Sequence, residues 1–197
     1  MPTQPAERYD AIVVGGSAGG IDALMRLLPA LPATLNAAVL VVMHLQRDRR
    51  SLLAQIFRQR CTLLLQEAQD QMPIAAGTVY FAPPDYHLLV DAGPRLALSI
   101  EAPVHFSRPS IDVLFESAAD HYGERLVGIL LSGANDDGAR GMQAIEAAGG
   151  LVVVQTPADA SMPVMPQAAL ARTKPHHILS PEGIAQMLTD LHQRDLL

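Results

Sequence analysis

The sequence predicts an α/β fold: a doubly wound, mostly parallel sheet in a Rossmann-like three-layer arrangement, with a small antiparallel β-hairpin. Three observations predict it. Short runs of Val, Ile and Leu recur without polar alternation, the pattern of strands covered on both faces. Between them, apolar residues repeat with the period of a helix that buries one face. In the middle of the chain, short strand-like runs are separated by turn residues instead of helices.

Each element follows from its residues. Ala11 to Val14 is a buried strand, and Ile21, Leu24, Leu27, Leu28 and Leu31 lie on one face of the helix after it. Ala38 to Met43 is the next strand. Thr78 to Phe81, His87 to Val90 and Leu96 to Ile100 are broken by Pro83-Pro84-Asp85 and Ala92-Gly93-Pro94, which reads as a hairpin or small antiparallel edge. Helical spacing returns at Ile111, Leu114, Phe115, Ala118 and Tyr122, then the strand Leu126 to Leu131, then Met142, Ile145 and Ala148. Gly149-Gly150 suits a helix end that needs positive φ, and Leu151 to Val154 is a further strand. With 197 residues and 49% hydrophobic content, the chain is expected to form one domain with its core at about residues 9–192.

Composition narrows the function. A net charge of -6 argues against nucleic acid, which requires clustered Lys and Arg. Cys61 is the only cysteine, so no internal disulfide or Cys-based zinc cluster forms, and a reducing cytoplasm is the expected location. The opening MPTQPAERYD is too polar for a secretory signal, and runs such as Ala37 to Met43 fall far short of the roughly 20 residues that span a bilayer. No dense ligand cluster appears, so neither metal nor cofactor is expected. His87, His105, His121, His176 and His177 read as structural or solvated.

The chemistry concentrates at strand ends. Gly15-Gly16-Ser17-Ala18-Gly19-Gly20 lies between strand and helix and contains G-x-S-x-G, the context of a nucleophile elbow. A sharp turn there lifts the serine hydroxyl off the sheet, and helix amides point toward developing negative charge. The competing reading is a phosphate-binding helix N-terminus with Ser17 as its cap. His44 ends the second strand, where ligands and catalysts of open α/β sheets collect. Ser132 to Met142 follows a third strand and supplies an acid to orient the histidine. The plainer alternative makes Asp136 and Asp137 the acidic start of the next helix, stabilising its dipole by about 0.3–1 kcal/mol.

Together, Val14 to Gly20, Val42-Met43-His44, Phe81-Ala82-Pro83-Pro84, Arg108 to Phe115 and Ser132 to Met142 resemble, in this order, the catalytic domain of the protein-glutamate methylesterases of bacterial chemotaxis. The likeness runs from about Tyr9 to His192. It implies Ser17 as nucleophile, His44 as general base and then acid, and Asp137, within Asp137-Gly138-Ala139, as the group that orients the imidazole. It also implies backbone N–H groups of Ala18 and Ala134 as oxyanion donors, although the family commonly has Thr and Met at these positions. Arg108 and Met165 are substrate-binding candidates; Arg108 pairing with a structural carboxylate and Met165 as core filler are the alternatives.

The implied reaction is hydrolysis of glutamate γ-methyl esters, and deamidation of glutamine, on chemoreceptor cytoplasmic helices. Typical relatives carry a receiver domain ahead of the esterase domain. The first strand begins near residue 9 here, so a receiver or other signalling protein is expected as a separate partner. Two other functions compete: a catalytically idle docking domain and a small-molecule carboxylesterase.

Overall fold

The computed structural model describes residues 8–44 and 52–197, so most of the opening segment MPTQPAERYD lies outside the described residues. The strands are β1 (Ala11–Gly16), β2 (Ala38–Met43), β3 (Leu64–Glu67), β4 (Thr78–Phe81), β5 (His87–Asp91), β6 (Arg95–Ser99), β7 (Leu126–Leu130), β8 (Leu151–Gln155) and β9 (His177–Leu179). The helices are α1 (Gly20–Leu27), α2 (Leu53–Arg58), α3 (Ile111–Tyr122), α4 (Ala139–Ala147), α5 (Val164–Arg172) and α6 (Pro181–Gln193). Seven strands pair in parallel in the order β3-β4-β2-β1-β7-β8-β9, and β5 and β6 form a separate antiparallel hairpin.

The apolar runs lack polar alternation because both faces of the sheet are covered. Successive residues of a strand point to opposite sides. Ile12, Val14, Val39, Val41, Val127 and Ile129 enter one core, with Leu24 and Leu27 of α1, Phe57 of α2 and Ile184 and Leu188 of α6. Val13, Leu40, Val42, Leu130, Val152 and Val154 enter the other, with Phe115 of α3, Met142 and Ile145 of α4 and Met165 of α5. The strand order turns about β1, whose neighbours β2 and β7 lie on its two sides. The crevice beyond its carboxyl end is therefore the switch point where such folds bind and react.

Three features differ from the sequence reading. Thr78 to Phe81 does not belong to the antiparallel edge: β4 is buried along its length and lies inside the parallel sheet, between β2 and β3. The prolines after it end the strand without folding it back. The helix expected over Ile21 to Leu31 stops at Leu27 and tightens into a 3-10 turn, Leu28–Ala30. Pro29 has no N–H to continue the ladder, yet Leu28 and Leu31 remain buried, so the apolar spacing outlasts the helix. The sequence reading did not separate out the short β3 and β9 or the helices α2, α5 and α6, although Ser180-Pro181 marks the start of α6 and Ile184 and Leu188 its buried face. Gly149 does follow α4 at φ +83°, as a left-handed helix end requires.

No described helix is long and apolar enough to cross a membrane. Cys61 is half-buried, and burial pushes its thiol up to about 11.

Candidate active site

Ser17 leaves the end of β1 and starts the turn into α1. Its N–H donates to the Ser132 carbonyl at 2.9 Å, and its own carbonyl accepts from Gly20 N–H at 2.9 Å. Gly16 is in register with Met43, and His44 N–H donates to the Gly16 carbonyl at 3.0 Å. Ser17 and His44 are thus the residues that follow the last paired positions of two neighbouring parallel strands.

The His44 ring reaches toward the loop after β7, where its Nε2 lies 2.8 Å from Asp137 Oδ2. An ionised carboxylate only accepts, so Nε2 is the donor in this bond. Since β1 lies between β2 and β7, this bond crosses the end of β1, where Ser17 sits. Among the described residues no hydrogen bond joins the Ser17 hydroxyl to His44. That contact is often open until substrate binds.

Asp137 is fully buried, and its carboxylate is saturated with donors. Besides His44, Oδ2 accepts from Ile111 N–H at 2.8 Å, while Oδ1 accepts from the Ser110 hydroxyl at 2.9 Å and Asp112 N–H at 3.0 Å. Burial pushes the acid upward, but the His44 bond and the amides of Asp112 and Ile111 outweigh it. They hold Asp137 below the usual carboxylate range, as the anion. The helix that Asp137 stabilises is therefore α3, which is remote in sequence, and not α4, the one that follows it. The first turn of α4 contains no acidic residue.

The two expected oxyanion donors belong to exposed residues, Ala18 and Ala134, and neither N–H makes a hydrogen bond among the described residues. Ser132 ties their loops together: its carbonyl takes Ser17 N–H, and its hydroxyl donates to the Ala18 carbonyl at 2.8 Å and accepts from Met162 N–H at 2.9 Å.

The substrate-binding candidates are committed internally. Arg108 spends its donors on Asp85, at 2.7 and 3.1 Å, and on the carbonyls of Ile100 and Glu101. Met165 is fully buried beneath the Ala134 loop, and a Cβ on Gly133 would lie 2.4 Å from its Cε. His87 is structural as expected: its Nδ1 accepts from Ser110 N–H at 3.1 Å and its Nε2 faces the Ala102 carbonyl at 3.2 Å. His105 lies nearer the site, with Nδ1 3.3 Å from Asp136 and Nε2 3.6 Å from Asp112.

Sequence reasoning missed Ser110, Asp112 and His87 as supports of the acid. Pro109-Ser110-Ile111 does mark a helix start, whose free amides attract an anion. Nothing local indicates that the anion comes from Asp137.

Fold and site define a class: an α/β protein with a serine, a histidine and a buried aspartate at the carboxyl ends of three adjacent strands, the layout of a hydrolase. The CheB methylesterase family profile matches residues 12–188. A Leptospira interrogans protein, provisionally named protein-glutamate methylesterase/protein-glutamine glutaminase, is 42% identical over 95% of this chain and 97% of its own length. A Symbiobacterium thermophilum protein of that name, without the qualifier, is 38% identical over 90% of this chain, which spans 49% of it. The crystal structure of the Thermotoga maritima CheB methylesterase catalytic domain superposes with a TM-score of 0.89, at 26% identity, covering 93% of this chain and 98% of that one. The chain belongs to the CheB methylesterase family, a family of hydrolases.

Proposed function

We propose that this chain hydrolyses glutamate γ-methyl esters, and deamidates glutamine, on the cytoplasmic helices of chemoreceptors. Ser17 is the nucleophile, His44 the general base and then acid, and Asp137 the carboxylate that fixes the imidazole. The observation that carries this reading is the 2.8 Å bond from His44 Nε2 to buried Asp137 across the end of β1. With Nε2 engaged, Nδ1 of the neutral ring is the nitrogen that serves Ser17 as base in this reading.

In the reaction, Ser17 Oγ attacks the ester carbonyl as His44 Nδ1 takes its proton. The N–H groups of Ala18 and Ala134 receive the oxyanion. His44 then gives the proton to the leaving methoxide, and methanol departs. Water, activated by the same nitrogen, releases glutamate and restores Ser17. With a glutamine substrate the leaving group is ammonia. We place the enzyme in the cytoplasm, with chemoreceptor helices as its partners.

The test is methanol release from methylated chemoreceptors, together with labelling by a serine-reactive fluorophosphonate. Wild type releases methanol and is labelled at Ser17; Ser17→Ala does neither, and His44→Ala is not labelled. A folded Ser17→Ala protein that still releases methanol overturns the assignment. Folded wild type that neither labels nor hydrolyses esters points to an idle docking domain.

A further inference from the structure

The acid loop is held by a second buried carboxylate. Asp112, in the first turn of α3, is fully buried, and its Oδ1 accepts from Gly138 N–H at 2.9 Å and Gly141 N–H at 2.7 Å. These amides lie at the start of α4, whose cap residue Gly138 offers no side chain. Asp137, just ahead of α4, takes the amides of Ile111 and Asp112 at the start of α3. Each helix start thus receives its anion from the other helix, so that donors left open by the helical ladder are satisfied reciprocally. Gly138 fits this crossing at φ +94°, where a Cβ would come within 2.6 Å of Leu130 Cδ1 and 2.8 Å of Ile111 Cγ2.

The Asp112 side chain makes no hydrogen bond to Ser17, His44 or Asp137; only its backbone N–H meets Asp137. Its other oxygen, Oδ2, is buried with no hydrogen-bond partner among the described residues, and Arg140 Nε and His105 Nε2 lie 3.6 Å from it. Burying a carboxylate whose second oxygen takes no hydrogen bond is costly, and the two amide bonds of Oδ1 are what offset it. One of those bonds holds Gly138, the residue that follows Asp137 in the chain.

We propose that Asp112 is a positioning residue for the reaction: by gripping the Gly138 and Gly141 amides it fixes the loop that aims Asp137 at His44. The inference rests on the Ser17, His44 and Asp137 reading for its catalytic consequence, but not for its geometry.

The experiment follows two signals in wild type, Asp112→Ala and Asp112→Asn. One is the low-field proton resonance of His44 Nε2 bonded to Asp137, observed in protein labelled with 15N-histidine. The other is the rate at which a fluorophosphonate labels Ser17. Asp112→Ala loses the resonance and labels about tenfold to a hundredfold more slowly, the cost of a small misplacement. Asp112→Asn keeps a carbonyl oxygen at the Oδ1 position, so it retains the resonance and restores most of the rate.

If Asp112→Ala does not fold, Asp112→Ser, which refills part of the space, is held to the same outcome. A folded Ala or Ser variant that keeps both resonance and rate overturns the proposal. Loss in Asp112→Asn equal to that in Asp112→Ala also overturns it, because the acceptor would not be what matters. If wild type is not labelled at Ser17, the catalytic reading falls, and the resonance alone decides whether Asp112 aims Asp137.

Discussion

Asp137 joins two tasks in one side chain: it meets the His44 ring and closes the open amides of α3. Asp137→Asn is therefore expected to lower kcat by about 10⁴ with little change in KM, as for an orienting triad acid, in steady-state methanol release. The two buried acids titrate with opposite sign. Asp137 is held low, so its stabilisation is complete above its unfolded value of about 3.9 and is lost as pH falls through the lower folded value. Burial raises Asp112, with the negative charge of Asp137 adding to the rise, so the folded chain loses stability as pH climbs from about 3.9 through the raised value. Asp112→Asn removes that penalty. Its stability relative to wild type is expected to grow as pH rises above about 4, read from urea denaturation at a series of pH values. The strand-end positions of Ser17 and His44 were legible, Ser17 from the glycine-flanked turn that follows a buried apolar run and His44 as the residue that ends one. The support of Asp137 was not, since its partners Ser110, Ile111 and Asp112 lie 25 to 27 positions away in the chain.

Glycines separate turn geometry from packing among the elements. Gly93 sits at φ +75° in the turn between β5 and β6, and a Cβ added there would meet nothing within 4 Å. Gly93→Ala is thus expected to cost only about 1–2 kcal/mol, for the left-handed backbone. Gly138→Ala adds overpacking against Leu130 and Ile111, for a total of about 2–5 kcal/mol, and disturbs the acid loop as well. Urea denaturation gives both costs, and fluorophosphonate labelling slows only in Gly138→Ala. The central strands were legible because β1, β2, β7 and β8 are buried along their whole length. β9 is three residues long and largely exposed, and β3 buries only Leu65, so neither carries a period long enough to read. Thr78 to Phe81 was legible as a strand but not as a parallel one, because direction is set by distant partners and not by the run itself.

Across the whole molecule, stability is expected to fall from the centre of the sheet to its rims. Native-state amide exchange is slowest in β1, β2 and β7, whose faces are covered by both cores, and fastest in β9 and β3. Uniform protection across the sheet would contradict this. The doubly wound order was legible from strand and helix alternation, and it drew attention to the crevice beyond β1. Ser17 and His44 lie before residue 101 and Asp137 lies after it, while the pairing of β1 with β7 joins the two portions. Severing the exposed stretch 101–103 would thus yield two fragments, neither holding a full set of reactive groups, and fluorophosphonate capture on mixing them would report their reassembly.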